Sequence, residues 1–167
     1  MTNPPNGKIS SNLTDLDELN KEHQWIPGQN NIRPTEQEKA RKLRNCIVID
    51  AIWSSSTDFV LHTHFKQPFK INANGQRYVP VSTETLEPVF IPNDFPYQLP
   101  EYAKHFVLWY GPSIKSVDDA QVTNDIRAAL DKINPDTSFA WYENPKMTIP
   151  EMFHVQVFWV ENSHLKK

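Results

Sequence analysis

The sequence is poor in the features that mark secreted and membrane proteins. It has one cysteine, Cys46, so no disulfide can form within the chain, which is typical of a reducing compartment. A membrane-spanning helix needs an apolar run of about 18 residues, and no apolar run in this sequence approaches that length. Residues 1–12 lack the positively charged and apolar segments of a secretory signal. We therefore expect a soluble protein of the cytoplasm or nucleus.

The sequence also has no large excess of positive or negative charge. The 17 basic and 20 acidic residues give a formal net charge of −3. A protein with this charge balance has no dominant basic surface for a nucleic-acid backbone, so no nucleic-acid partner is expected. His62 and His64 have no acidic partners nearby, so they are a weak metal signal. A zinc site would require the fold to bring them to His105 and His154, and we predict no metal ion and no cofactor.

Glycine is rare, with four residues against 14 prolines, so rigid connections are expected to be common. A chain of 167 residues can bury one hydrophobic core. Residues 1–12 are polar and are predicted to form a disordered tail. Residues 13–162 are predicted to form a single α+β domain, and residues 163–167 a short polar C-terminal tail.

Two helices are predicted from capping residues and apolar spacing. The first begins after Pro34, where Thr35 and Glu38 form a capping box, and its apolar residues follow at helical spacing to Ala51. The second begins at a capping pair of Ser116 and Asp119. Its core-facing residues are expected to be Val122, Ile126, Ala129, Leu130 and Ile133.

Strands are predicted where branched and aromatic residues cluster. The segments are DFVLHTHF (58–65), EPVFIP (87–92), HFVLWY (105–110), SFAWY (138–142) and FHVQVFWV (153–160), with a hairpin turn at Asn74-Gly75. The short connections favour antiparallel pairing. We therefore expect an α+β fold in which the two main helices pack on one face of an antiparallel sheet. Its exposed edge would allow pairing into a homodimer.

The last strand places polar groups where core residues are expected. Because side chains alternate along a strand, His154 and Gln156 share one face, and Phe153 and Val155 share the other. A neutral imidazole on a rigid strand can attack phosphorus, and a neighbouring amide can hold a phosphate oxygen. His154 is therefore the candidate nucleophile. The alternative is a half-buried structural histidine that bonds to the backbone.

Further ligand-binding candidates come from neighbouring segments. His105 begins a strand with Trp109 on the same side, and Asn144 follows the strand at 138–142. Asn93 and Asp94 belong to the turn NDFPY, where they could instead bond to the backbone. The aromatic residues Tyr97, Tyr102, Trp109, Tyr110, Trp141 and Tyr142 are expected to be core, or alternatively a surface for a ligand or a protein partner.

Most of the chain, from about residue 16 to 160, resembles the N-acetylglucosamine-induced protein 1 family of fungi, which has relatives in large DNA viruses. The resemblance rests on DLDEL, RPTEQEKARKLRN, SSSTDFVL, IPNDFPYQLPEYAKHFVLW and NPKMTIPEMFHVQVFWV. It implies no established function. Family members tend to read His-Val-His where this chain has His154-Val155-Gln156.

A more remote resemblance is to the histidine-triad superfamily. HFVLWYGP, the following helix, FAWYENP and HVQVFWV occur in the same order as in those proteins. The resemblance implies a nucleotide site on an antiparallel sheet, with His154 as the nucleophile and Gln156 as the phosphate-holding amide. Met152 then stands at the place of the first triad histidine. In a second register, His154 takes that first place, Gln156 replaces the nucleophile, and the site is inactive.

These observations lead to one main functional prediction. The protein is expected to be a degenerate nucleotide- or sugar-phosphate-binding domain with weak or no catalysis. One alternative is an active nucleotidyl hydrolase or transferase that uses His154. The other is a protein-interaction module.

Overall fold

The fold is built on a four-stranded antiparallel sheet in the order β3-β4-β6-β5. The computed structural model describes residues 35–97, 99, 101–143 and 149–164, so the predicted tails 1–12 and most of 163–167 lie outside the described residues. The sheet strands are β3 (Val89–Pro92), β4 (Ala103–Trp109), β5 (Thr137–Tyr142) and β6 (His154–Glu161). A short hairpin of β1 (Lys70–Ile71) and β2 (Arg77–Tyr78) forms a separate pair.

Three helices complete the described part of the chain. They are α1 (Glu36–Ile52), α2 (Ser56–Thr63) and α3 (Asp119–Ile133). A short 3-10 turn, Asn162–His164, follows β6. The predicted α+β class with an antiparallel sheet is therefore confirmed. No helix among the described residues is long and apolar enough to cross a membrane.

Both faces of the sheet are buried, which sets the positions of the helices. One face packs against α3 through Val122, Ile126 and Leu130, which are fully buried. On the opposite face, Val60 and Leu61 of α2 pack in one cluster with Val107, Trp109 and Met152 of the sheet and its flanking loop. The helices thus lie on both faces rather than on one as expected, because β6 is buried along both of its faces and each needs a cover.

The segment 58–65 differs from its predicted strand. Residues 56–63 form α2, because Ser55 caps the helix by accepting a hydrogen bond from the Asp58 N–H at 3.1 Å. The Asp58 carboxylate also accepts the Val79 N–H at 2.8 Å, which ties the helix start to the chain after β2. The local cap and this tertiary bond outweigh the strand preference of branched and aromatic residues.

The helix α1 presents an unexpected face to the sheet. Thr35 caps it as predicted, accepting the Glu38 N–H at 3.2 Å. However, Leu43 and Ile47 are 65% and 62% exposed, and Val48 and Ile52 are also exposed. The opposite face, with Lys42, Asn45, Cys46 and Ile49, lines a cavity above the sheet. The apolar spacing predicted the helix but not its orientation.

The remaining predicted elements lie close to their expected places. Gly75 adopts a left-handed φ of 79° in the β1–β2 turn, as the Asn74-Gly75 signal indicated. The cap of α3 is Asp118 rather than Ser116, and it accepts the Gln121 N–H at 2.8 Å. Ile133 is 52% exposed, since it lies in the last turn beyond the edge of the core.

The aromatic residues belong to the interior rather than to a partner surface. Trp109, Tyr110, Trp141 and Tyr142 are buried, and Tyr97 and Tyr102 are partly buried against the core. The alternative of an exposed aromatic interaction surface therefore finds no support in these six residues.

Candidate functional site

A cavity lies between the sheet and the helices α1 and α2. Its volume is about 160 Å³, and β4, β6, α1, α2 and the turn after β3 contribute to its walls. The polar and titratable lining residues are Lys42, Asn45, Cys46, Ser56, His64, Asn93, Asp94, His154 and Gln156. The apolar part of the wall includes Phe59, Val60, Ile91, Phe95, Val107, Trp109 and Ile149. Sheet and helices thus enclose polar groups in a largely apolar space.

His154 enters this cavity from the first position of β6. Its Nδ1 lies 2.8 Å from the backbone oxygen of Met152. Since a carbonyl oxygen only accepts hydrogen bonds, Nδ1 carries the proton and donates it. In the neutral ring, Nε2 then keeps a free lone pair, and no described residue bonds to it. The backbone therefore fixes the tautomer that a nucleophile or a hydrogen-bond acceptor requires.

Aromatic stacking holds His154 in place. Its ring stacks on Trp109, the residue directly opposite it in β4, with 4.2 Å between centroids. Trp109 also stacks with His64, at 6.0 Å. The indole thus contacts two imidazoles that both line the cavity.

Burial keeps both imidazoles uncharged near neutral pH. Burial lowers the pKa of His154; the hydrogen bond to the Met152 carbonyl opposes this, and the nearby Lys42 charge adds to it. Burial also lowers the pKa of His64, against an upward effect of Asp94 and with a smaller downward effect of Lys66. The cavity is therefore lined by two neutral imidazoles together with the cationic Lys42 and the carboxylate of Asp94.

Gln156, two residues after His154, is part of a hydrogen-bond group behind the cavity. Its Oε1 lies 2.6 Å from His105 Nε2 and 3.0 Å from Asn93 Nδ2. His105 Nδ1 accepts the backbone N–H of Tyr97 at 3.1 Å, so the ring proton is on Nε2. Both neighbours therefore donate to Gln156 Oε1. The 3.3 Å approach of Asn93 Nδ2 to His105 Nε2 joins two donors that share this acceptor and is not itself a hydrogen bond.

The His105 ring is neutral because of its surroundings. Burial lowers its pKa to about 4, and the hydrogen bond with Gln156 opposes that effect. Its ring stacks on Phe158, with 4.5 Å between centroids. Both ring nitrogens have partners within the protein. His105 consequently holds no free nitrogen for a ligand.

Most of the predicted site residues meet at this cavity. His154, Gln156, Trp109, Asn93 and Asp94 all line it. Asn93 has a second role as a turn residue, because its Oδ1 accepts the Phe95 N–H at 2.8 Å, which was the structural alternative for this turn. His105 was expected to form part of the pocket wall, but it lies behind Gln156 and is not a lining residue. Asn144 lies outside the described residues.

Five polar or titratable lining residues were missed as site residues from the sequence, namely Lys42, Asn45, Cys46, Ser56 and His64. Lys42 and Asn45 lie on the face of α1 that the apolar spacing assigned to solvent. His64 was predicted within a strand, whereas it is the C-cap of α2. The signal was the spacing of residues 42, 45, 46 and 49, which defines a second face of the same helix.

The four histidines considered for a zinc site do not all come together, because only His64 and His154 line the cavity. His62 bonds to the Gln67 backbone oxygen at 2.8 Å and does not line the cavity, and His105 is held behind Gln156. Within the described ranges, no group of three or more His, Cys, Asp or Glu side chains could hold a metal ion.

Comparison with known proteins assigns no family. No family model matches the chain, and no curated protein matches it. Among solved structures, the crystal structure of HTC1 is similar, with a TM-score of 0.45 and 16% identity over 89% of this chain and 82% of that chain. At this level of similarity it assigns no function. The resemblance to the N-acetylglucosamine-induced protein 1 family stays a prediction.

Proposed function

We propose that the cavity binds a small phosphorylated ligand, a nucleotide or a sugar phosphate, with weak or no catalysis. The main observation in support is that polar groups from α1 and β6, with no partner among the described residues, line one cavity. Among the described residues, Lys42 of α1 makes no ion pair, and neither His154 Nε2 nor the Gln156 amide NH2 has a hydrogen-bond partner. A cation and an amide donor are suitable partners for phosphate oxygens.

The size of the cavity favours a small ligand or a small part of a larger one. Its volume of about 160 Å³ lies below the range of about 300–1,000 Å³ that is typical of ligand pockets. A phosphate with an adjoining ring would occupy it, and the remainder of a nucleotide sugar would extend outside. Sugar phosphates are therefore the first ligands to test.

The same geometry argues against efficient catalysis. Phosphoryl or nucleotidyl transfer gains from a general acid that protonates the leaving group. His105 has a pKa of about 4 and both its nitrogens are bonded, so it is a poor acid at neutral pH. The pKa of His64 is also lowered, and position 156 is a glutamine, which cannot protonate a leaving group.

The first experiment is thermal unfolding against nucleotides, sugar phosphates and nucleotide sugars. A ligand at 100 times its Kd should stabilise the protein by about 2.7 kcal/mol. Lys42→Met should weaken binding at least tenfold. Lys39→Met is the matched control, because Lys39 lies on the same helix, is exposed and forms an ion pair with Glu36 at 2.9 Å, and it is not a lining residue of the cavity. Equal binding by both variants, or no shift of the wild type with any ligand, contradicts the proposal.

One observation favours the catalytic alternative. The Met152 carbonyl holds the His154 proton on Nδ1, so Nε2 is ready to attack phosphorus as the bond to the leaving oxygen breaks. The covalent product would raise the intact mass by one nucleotidyl group. Mass spectrometry after incubation with UDP-glucose tests this, with His154→Gln as the control. An unchanged mass with every nucleotide sugar excludes the alternative.

A further inference from the structure

We propose that Asn93 and His105 are positioning residues that hold the Gln156 amide with its NH2 group toward the cavity, so that the cavity selects a hydrogen-bond acceptor at this point. The inference deepens the proposed function and rests on it for the ligand. The orientation of the amide itself follows from the protein alone.

The orientation begins at two backbone N–H groups, which can only donate. The Phe95 N–H donates to Asn93 Oδ1 at 2.8 Å, so the other end of that amide, Nδ2, must face Gln156. The Tyr97 N–H donates to His105 Nδ1 at 3.1 Å, so the ring proton is on Nε2. The turn at residues 93–97 thereby sets the direction of two side chains.

These two side chains then set the direction of a third. Asn93 and His105 both present a proton to Gln156, at 3.0 Å and 2.6 Å, so the atom that meets them must be the amide oxygen. Reversing the amide would place its NH2 against two donors. The NH2 group is left without a partner among the described residues, and Gln156 lines the cavity.

The arrangement places a donor and an acceptor side by side on β6. His154 offers the lone pair of Nε2, and Gln156 offers an N–H, two residues along the same face. A ligand oxygen without a proton can accept a hydrogen bond from the Gln156 NH2 group. A ligand group that only donates cannot form a hydrogen bond with it.

The decisive variant is Gln156→Glu, which keeps an oxygen for Asn93 and His105 but replaces the NH2 group by a second carboxylate oxygen. We expect binding of sulfate and of glucose 1-phosphate to weaken at least tenfold while the fold is retained. Wild-type affinity in this variant overturns the proposal.

A pair of variants separates positioning from a structural role of the His105 ring. His105→Phe keeps a ring but removes both polar atoms, and we expect roughly a three- to tenfold loss of affinity. His105→Gln can accept from Tyr97 and donate to Gln156, so it should restore binding. Equal affinity of the two variants argues against positioning.

A measurement on the wild-type protein keeps the proposal testable if a variant fails to fold. Nitrogen-15 spectra of the histidine side chains should show His105 protonated at Nε2 and not at Nδ1, without any ligand. Protonation at Nδ1 overturns the proposal. If the wild type binds neither sulfate nor glucose 1-phosphate while the Nε2–H form is observed, the proposed function fails and the orientation of the amide stands.

Discussion

His105 and Gln156 are diagonal neighbours on adjacent strands, and Nε2 of the first lies 2.6 Å from Oε1 of the second. In the ladder between β4 and β6, His105 pairs with Phe158 and Gln156 pairs with Val107. The two polar side chains therefore meet across a register step on the face that carries the cavity. This contact satisfies the ring N–H of His105 and the amide oxygen of Gln156, which makes these two buried polar atoms tolerable in the sheet.

The free energy of unfolding should fall in mild acid because the His105 ring is buried. The pKa of His105 is lowered to about 4 in the folded protein, against about 6.5 in the unfolded chain. Between these two pH values, the unfolded state therefore binds more protons than the folded state. The stability present above pH 6.5, where His105 is neutral in both states, is lost as the pH falls toward 4. The loss amounts to about 3 kcal/mol for His105.

Urea unfolding between pH 4 and pH 7 measures this effect. His64 and His154 act in the same direction, because their pKa values are also lowered. His105→Gln should flatten the profile by the His105 share and leave the rest. A variant with the same pH dependence as the wild type would show that His105 is not the main group.

Trp141 and Trp159 are buried on the face of the sheet that packs against α3. Removing the indole N–H should lower the free energy of unfolding by different amounts at these two positions. Trp141 Nε1 donates to Thr123 Oγ1 at 3.2 Å, whereas Trp159 Nε1 is buried and has no hydrogen-bond partner among the described residues. We expect Trp141→Phe to cost about 1 kcal/mol more than Trp159→Phe, because only the first loses a made hydrogen bond. Chemical denaturation of both variants gives the comparison, and a larger cost for Trp159→Phe would point to a partner for its indole.

The exposed apolar face of α1 should tolerate polar residues. Leu43 and Ile47 are 65% and 62% exposed, so Leu43→Gln and Ile47→Gln should each change the unfolding free energy by less than about 0.5 kcal/mol. Ile126→Ala, at a fully buried position of α3, should cost about 2–5 kcal/mol. A cost above 1 kcal/mol at either α1 position would indicate that this face is covered in solution.

The sequence was sufficient for elements whose local and tertiary signals agree. The alternation in β6 placed Phe153, Val155, Val157 and Trp159 in the core and His154 with Gln156 on the other face, as the structure confirms. In α3, the apolar spacing likewise identified the buried residues of its central turns. Strict periodicity combined with burial leaves little freedom in such segments.

The cavity depended on information that local patterns do not contain. Residues 58–65 have strand-like composition, yet a cap at Ser55 and the Asp58 contact to Val79 place residues 56–63 in a helix. That change moves His64 from a strand face to the wall of the cavity. To predict that Lys42 lines the cavity, one must know which face of α1 is turned toward the sheet. Tertiary packing determines that face, and the spacing of the apolar residues in α1 indicates a different one.

Anion binding should depend on pH through His154. In the free protein this imidazole is neutral, because burial lowers its pKa, and its Nε2 offers a lone pair. A divalent anion presents only lone pairs, so it would be repelled by this atom unless the ring takes up a proton on binding. Sulfate is the suitable probe, because its own charge does not change near neutral pH.

We therefore expect sulfate to bind more weakly as the pH rises from 5 to 8. The decrease should approach tenfold per pH unit between the pKa values of free and bound His154, since one proton is taken up per anion. Isothermal titration calorimetry in two buffers of different ionisation enthalpy counts that proton directly. In His154→Gln the pH dependence that His154 contributes should be lost, with weaker binding at low pH. Proton-free binding of sulfate to the wild type would mean that Lys42 and Gln156 hold the anion without His154.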